Sequence, residues 1–159
     1  MEAFVDVDNA VDSITRQSRT CFLVYLNSAP VYWLSKKQTS AETSLFVSEF
    51  MVMKQCTEYI RGLRYKLWIM GIPCTAPAFI FGNIQSVLAN TKIPDSTTKK
   101  KSQSIAYHFV YKCAARDEWR TAYVNTHLNP ADLLTKLLRS EKKRKRFVCM
   151  ILHYIFGRF

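Results

Sequence analysis

Three acidic residues lie far apart in the chain, each in a local pattern that could present a carboxylate. Asp6 stands in Phe4-Val5-Asp6-Val7-Asp8, Glu49 in Ser48-Glu49-Phe50, and Asp132 in Pro130-Ala131-Asp132-Leu133. Carboxylate oxygens are the donors that hold hard divalent cations such as Mg²⁺. Each residue also has a plainer reading. Asp6 could be a solvent-facing acid at a strand end, and Glu49 an ordinary exposed helix glutamate. Asp132, in a first helical turn, complements the helix dipole with no further role. Spacing alone does not choose between Asp6 and Asp8, which share a strand face, or between Glu49 and Glu42 on one helix side.

The elements that must position these acids follow from hydrophobic period. Residues 3–8 alternate, with Phe4, Asp6 and Asp8 on one face and Val5 and Val7 on the other, as a strand does. Residues 21–26 are apolar on both faces, as in an interior strand. Asn27-Ser28-Ala29-Pro30 signals a turn, and residues 31–34 form the return strand. Ser40 caps a helix that runs to about residue 70, with Phe46, Phe50, Met53, Ile60, Leu63 and Leu67 at helical spacing. Glu49 lies beside that stripe, and Gly71-Ile72-Pro73 ends the helix.

Residues 79–81 make a short strand, and 83–90 a short helix ended before Pro94. A basic amphipathic helix is expected over 97–117, with Ile105, Phe109 and Cys113 as its inner line. Residues 119–125 form a strand carrying Tyr123. Asn129 as N-cap with Pro130 at the first helical position starts a helix reaching about residue 138. The order βββ-α-β-α-α-β-α-α predicts an α/β fold with a five-stranded mixed sheet and helices on both faces.

Several stretches together resemble the ribonuclease H domain of Ty1/copia-type LTR retrotransposon Pol polyproteins. They are Phe4-Val5-Asp6-Val7-Asp8-Asn9-Ala10, Arg16-Gln17-Ser18-Arg19-Thr20 with Val24-Tyr25-Leu26, and Ala29-Pro30-Val31-Tyr32-Trp33-Leu34-Ser35-Lys36-Lys37-Gln38. Glu42-Thr43-Ser44 with Ser48-Glu49-Phe50, and Asn129-Pro130-Ala131-Asp132-Leu133-Leu134-Thr135-Lys136, complete the match. Any one stretch is weak, but five in the right order are specific. The resemblance covers residues 3 to about 138. It implies a ribonuclease H-like domain over 1–138, followed by a basic, apolar C-terminal helix over 139–159 packed upon it.

The resemblance also implies a chemistry. Two divalent ions, Mg²⁺ or Mn²⁺, would bridge the scissile phosphate of an RNA–DNA hybrid, held by Asp6, Glu49, a third acid and Asp132. The third position falls in Ile80-Phe81-Gly82-Asn83-Ile84, where the family has Gly-Asp-Asn or Cys-Asp-Asn. Asn83 keeps an oxygen donor and loses the charge, so metal affinity and cleavage should be weakened. The chain also departs from the family at Asn9 and Val11. The alternative is a catalytically inactive relic that only binds nucleic acid.

Gln38, Thr39 and Ser40 are small polar candidates for contact with the 2′-hydroxyls that distinguish RNA. Lys36, Lys37, Lys99, Lys100 and Lys101 could neutralise phosphates, or simply be solvated. His127 sits in a loop where some ribonucleases H place a mobile histidine, although a plain polar loop residue fits as well. His108 reads as structural or surface.

Bulk properties agree with such a partner. The 159 residues carry a net charge of +11, which favours a polyanion. Five dispersed cysteines with no C-x-x-C pair argue against both a disulfide framework and a zinc module. The run Lys142-Lys143-Arg144-Lys145-Arg146 could be a nuclear localisation signal, a nucleic-acid patch, or the solvated face of a helix packed by Phe147, Met150, Ile151 and Tyr154. The last is preferred. Residues 147–156 are too few to span a bilayer, which needs ~20. The resemblance implies an intracellular protein, cytoplasmic (virus-like particle) or nuclear, like a piece detached from a reverse transcriptase polyprotein, and no membrane association is expected.

Overall fold

A computed structural model describes residues 1–8, 18–38, 45–82, 101–135 and 140–152. Five strands, β1 (Glu2–Asp8), β2 (Arg19–Leu26), β3 (Ala29–Lys37), β4 (Ala78–Gly82) and β5 (Trp119–Tyr123), form one sheet in the order β3-β2-β1-β4-β5. β1–β2 and β2–β3 are antiparallel, whereas β1–β4 and β4–β5 are parallel. The helices are α1 (Leu45–Ile69), α2 (Lys101–Ala115), α3 (Asp132–Thr135) and α4 (Glu141–Leu152), with a 3₁₀ turn at Thr126–Leu128. This is the mixed α/β architecture that the element order predicted. The helix expected over 83–90 and the cap Ser40 lie outside the described residues.

Strand alternation sorts the two faces. Ala3 and Val5 of β1, with Phe22, Val24, Ala78 and Ile80, bury against α1 residues Phe50, Val52, Met53, Cys56 and Ile60. Burying a side chain such as Ile60 stabilises the fold by about 1.5–3 kcal/mol. The opposite face of β1 carries Phe4, which stacks on Phe81 and meets Tyr25 edge-on. It also carries Asp6, and there α3 packs across β1, β2 and β3, with α4 against β3. β1 is therefore central in the sheet and covered on both sides.

The inner line of α2 differs from expectation at Ile105, which is 63% exposed, whereas Cys113 is buried and Phe109 packs partly buried against the core, beside buried Ala106, Tyr107 and Val110. Apolar residues nearly encircle this helix, so period alone left its orientation open. Packing against α1 selects a face whose line contains the small Ala106 and Cys113, which permit close approach.

Both long helices end on a left-handed residue. After α1, Gly71 has φ +77° and the Ile72 N–H donates to the Leu67 carbonyl. After α2, Asp117 takes φ 55° and the Glu118 N–H donates to the Cys113 carbonyl. Each pattern satisfies carbonyls that the helix leaves open. β3 runs well past the predicted residue 34 to Lys37, because its pairing with β2 continues to Arg19.

Candidate functional site

Asp6 lies near the C-terminal end of β1, directly opposite Cys21 of β2. Register with β4 ends at the pair Val5 and Gly82, one residue before Asp6. Asp6 is half-buried, and its Oδ2 accepts a hydrogen bond from the Thr135 hydroxyl at 2.7 Å. Thr135 closes the four-residue helix that Asp132 opens. The two acids from opposite ends of the chain are thereby held on one side of the sheet.

Asn129 explains how α3 reaches that place. It is wholly buried. Its side-chain NH₂ donates to the Val5 carbonyl at 2.8 Å, and its side-chain oxygen accepts from the Ala131 N–H at 3.1 Å. The predicted cap is thus also a tie to the central strand. Cys21 and Ser35 both donate to the Leu134 carbonyl, anchoring α3 on β2 and β3. Burial pushes the Cys21 thiol up to about 11, against a lowering bond from Ser35, and the Asp6 carboxylate adds to the rise. Cys21 is therefore a neutral thiol at physiological pH and a poor nucleophile.

Asp132 is only 1% exposed. A carboxylate this buried needs a compensating charge. Lys143 of α4 supplies one, its Nζ lying 2.7 Å from Asp132 Oδ2. The same ammonium lies 5.3 Å from the centre of the Phe147 ring. Glu49, in the second turn of α1, is also buried. The hydroxyls of its neighbour Ser48 and of Ser18 bond at 3.2 Å, fastening α1 to the start of β2.

Among the described residues, no group of three His, Cys, Asp or Glu side chains is placed to hold a metal ion. The carboxylate at Asp132 is met by the Lys143 ammonium, so a divalent ion would have to share or displace that partner there. Asn83 lies outside the described residues, as do Thr39, Ser40, Lys99, Lys100 and the rival acid Glu42. Lys101 opens α2. Asp8 is half-buried at the last position of β1.

Lys36 and Lys37 are exposed on the edge strand β3. Gln38 is turned inward: its amide nitrogen donates to the Thr20 hydroxyl and the Ser48 carbonyl. His127 is exposed, with its backbone N–H bonded to the Asn125 side chain. His108 is exposed on α2, edge-on to Tyr107. Thr135 and Lys143 were not singled out by sequence. The only signal for Thr135 was its place in the last family-like stretch, and Lys143 was indistinguishable from its basic neighbours.

Sheet order and helix placement define a ribonuclease H-like fold. LC11-RNase H1 in complex with an RNA/DNA hybrid superposes with a TM-score of 0.60 at 11% identity, covering 84% of this chain and 91% of that one. The N-terminal RNase H domain of a Mycobacterium tuberculosis protein gives 0.57 at 13% identity over 84% of this chain and 88% of that one. In sequence the homologues are retrovirus-related Pol polyproteins. Those from transposons RE1 and RE2 of Arabidopsis thaliana are 28% and 27% identical over 138 residues, 87% of this chain. That from transposon TNT 1-94 of Nicotiana tabacum is 22% identical over 89% of it. The chain spans only 9–11% of the length of these relatives. No protein-family model matches the chain. The sequence resemblance to the copia-type Pol ribonuclease H domain is upheld from both directions.

Proposed function

We propose that the chain is the ribonuclease H-like domain of a copia-type retrotransposon Pol polyprotein, that it engages RNA–DNA hybrid, and that its hydrolysis of the RNA strand is impaired. The observation that carries this reading is the Thr135–Asp6 bond, which ties the short helix opened by Asp132 to Asp6 on the central strand of a ribonuclease H-like fold. A solved neighbour of this fold holds an RNA/DNA hybrid, and the net charge of +11 suits the same partner. Mg²⁺ or Mn²⁺ would be held by Asp6, Glu49 and Asp132, with Asn83 giving an uncharged oxygen at the fourth position. In its element the domain would be covalently joined to a reverse transcriptase and work inside the cell, in virus-like particles or the nucleus.

The competing reading is an inactive hybrid-binding relic, favoured by the ammonium on Asp132. The deciding experiment is cleavage of a labelled hybrid by purified protein in Mg²⁺ or Mn²⁺, with Asp6→Asn and Asn83→Asp beside the parent. Weak cleavage that rises in Asn83→Asp and vanishes in Asp6→Asn establishes the nuclease. Hybrid binding with no cleavage by parent or Asn83→Asp establishes the relic.

A further inference from the structure

Four members of the basic run, Lys142, Arg144, Lys145 and Arg146, are exposed, and Lys145 pairs with Glu141 one turn away on the same helix. Lys143 alone turns inward. Its backbone N–H donates to the Ser140 hydroxyl, and the Arg144 N–H to the Ser140 carbonyl, so the helix start is capped. Below it, Phe147 is wholly buried, and the Tyr25 hydroxyl donates to the Met150 carbonyl at 3.1 Å. α4 is thus fixed at both ends of its inner face, and the Lys143 ammonium is carried to a carboxylate that is almost completely buried.

We propose that Lys143 is a built-in cation that competes with divalent metal for Asp132, so that α4 acts as a tethered occupant of the acid site. The inference rests on the reading of Asp132 as one of the ribonuclease H carboxylates. A buried carboxylate without a partner charge is strongly unfavourable. Either the ammonium or a metal ion can meet that need at Oδ2, and a divalent ion arriving there must displace Lys143. The positive charge is supplied from within the chain, and removing it should raise the affinity of Asp132 for an ion from solution.

The test is Mn²⁺ binding to the full chain without nucleic acid, read from loss of the free-ion paramagnetic resonance signal and from thermal unfolding with and without Mn²⁺. Lys143→Met is expected to bind Mn²⁺ at least about tenfold more tightly than the parent, the scale by which groups touching a ligand tune metal affinity. Mn²⁺ should raise its unfolding midpoint more than that of the parent. Lys143→Arg should behave as the parent, and Asp132→Asn combined with Lys143→Met should lose the gain. Should Lys143→Met be unfolded without metal, refolding on addition of Mn²⁺ supports the proposal. Affinity equal to or below that of the parent, a gain that persists in the double variant, or a Lys143→Met protein unfolded with and without Mn²⁺ overturns it. A gain in Mn²⁺ binding with no hybrid cleavage by any variant upholds this inference while rejecting the nuclease reading. Cleavage by the parent with unchanged Mn²⁺ binding in Lys143→Met does the reverse.

Discussion

The Thr135 hydroxyl donates to Asp6 Oδ2 at 2.7 Å across 129 positions of sequence. It joins the last turn of α3 to the central strand, so the relative placement of Asp6 and Asp132 depends on a neutral side chain. Thr135 also donates to the carbonyl of Asp132, its own helix partner. Thr135→Ala should lower stability by about 1.5–3 kcal/mol, the range for a hydrogen bond to a charged group. Thr135→Ser should recover most of this. Urea unfolding of the three proteins is the check, and equal midpoints for parent and Thr135→Ala would refute the tie.

Asn129 carries two buried bonds with opposite polarity, one donated and one accepted. Asn129→Asp keeps the acceptor for Ala131 and sets a carboxylate against the Val5 carbonyl. Asn129→Ala leaves both backbone groups without that partner, which costs about 1–3 kcal/mol per buried group. Both variants should be destabilised, with Asn129→Asp recovering as pH falls and its carboxyl gains a proton. A pH series of denaturation midpoints reads the difference.

Tyr25 gives a stability term at high pH. Its hydroxyl is pushed up from 10.0 to about 12, by burial first and the Glu2 carboxylate second. The folded state therefore holds this proton more tightly than the unfolded chain. The associated stability is complete below pH 10 and is lost as pH rises through about 12. Tyr25→Phe removes the titration and should flatten the decline between these values. A parent and variant with parallel alkaline curves would contradict it.

Phe147 is wholly buried, while the residues before it on α4 are mostly exposed. Phe147→Ala should cost about 3–5 kcal/mol if α4 is an integral part of the fold. Hydrogen exchange in α4 that stays as slow as in the parent would count against that role.

Lys36 and Lys37 stand exposed at the end of the edge strand. If they touch phosphates, replacing both by Ala should weaken hybrid binding at all sequences. It should also reduce the slope of log affinity against log salt by about one for each phosphate no longer neutralised. An unchanged slope assigns them to a solvated face.

The fold was legible because its signals are local and agree with one another. Alternation in residues 3–8, the two-faced apolar run of β2 and the long stripe of α1 each demand one element, and their order admits few topologies. The α2 face was only partly legible: Phe109 and Cys113 face the core as their period suggests, but Ile105 is as apolar as the line that α1 selects and lies outside it. Gln38 was a reasonable polar contact by position. Its amide instead closes the gap between β2 and α1, which sequence could not anticipate since Thr20 and Ser48 are distant along the chain.

The sequence by itself determined the kinds of element, their order and the acids that the family resemblance marks, since these depend on hydrophobic period and on short motifs. Only the tertiary structure decided which side chains serve those acids. Thr135 reaches Asp6 and Lys143 reaches Asp132 because capping by Asn129 fixes α3 against β1 and packing of Phe147 helps fix α4 against the same side of the sheet, next to β3. A charge run records how many lysines are present, but burial of one carboxylate selects which of them turns inward.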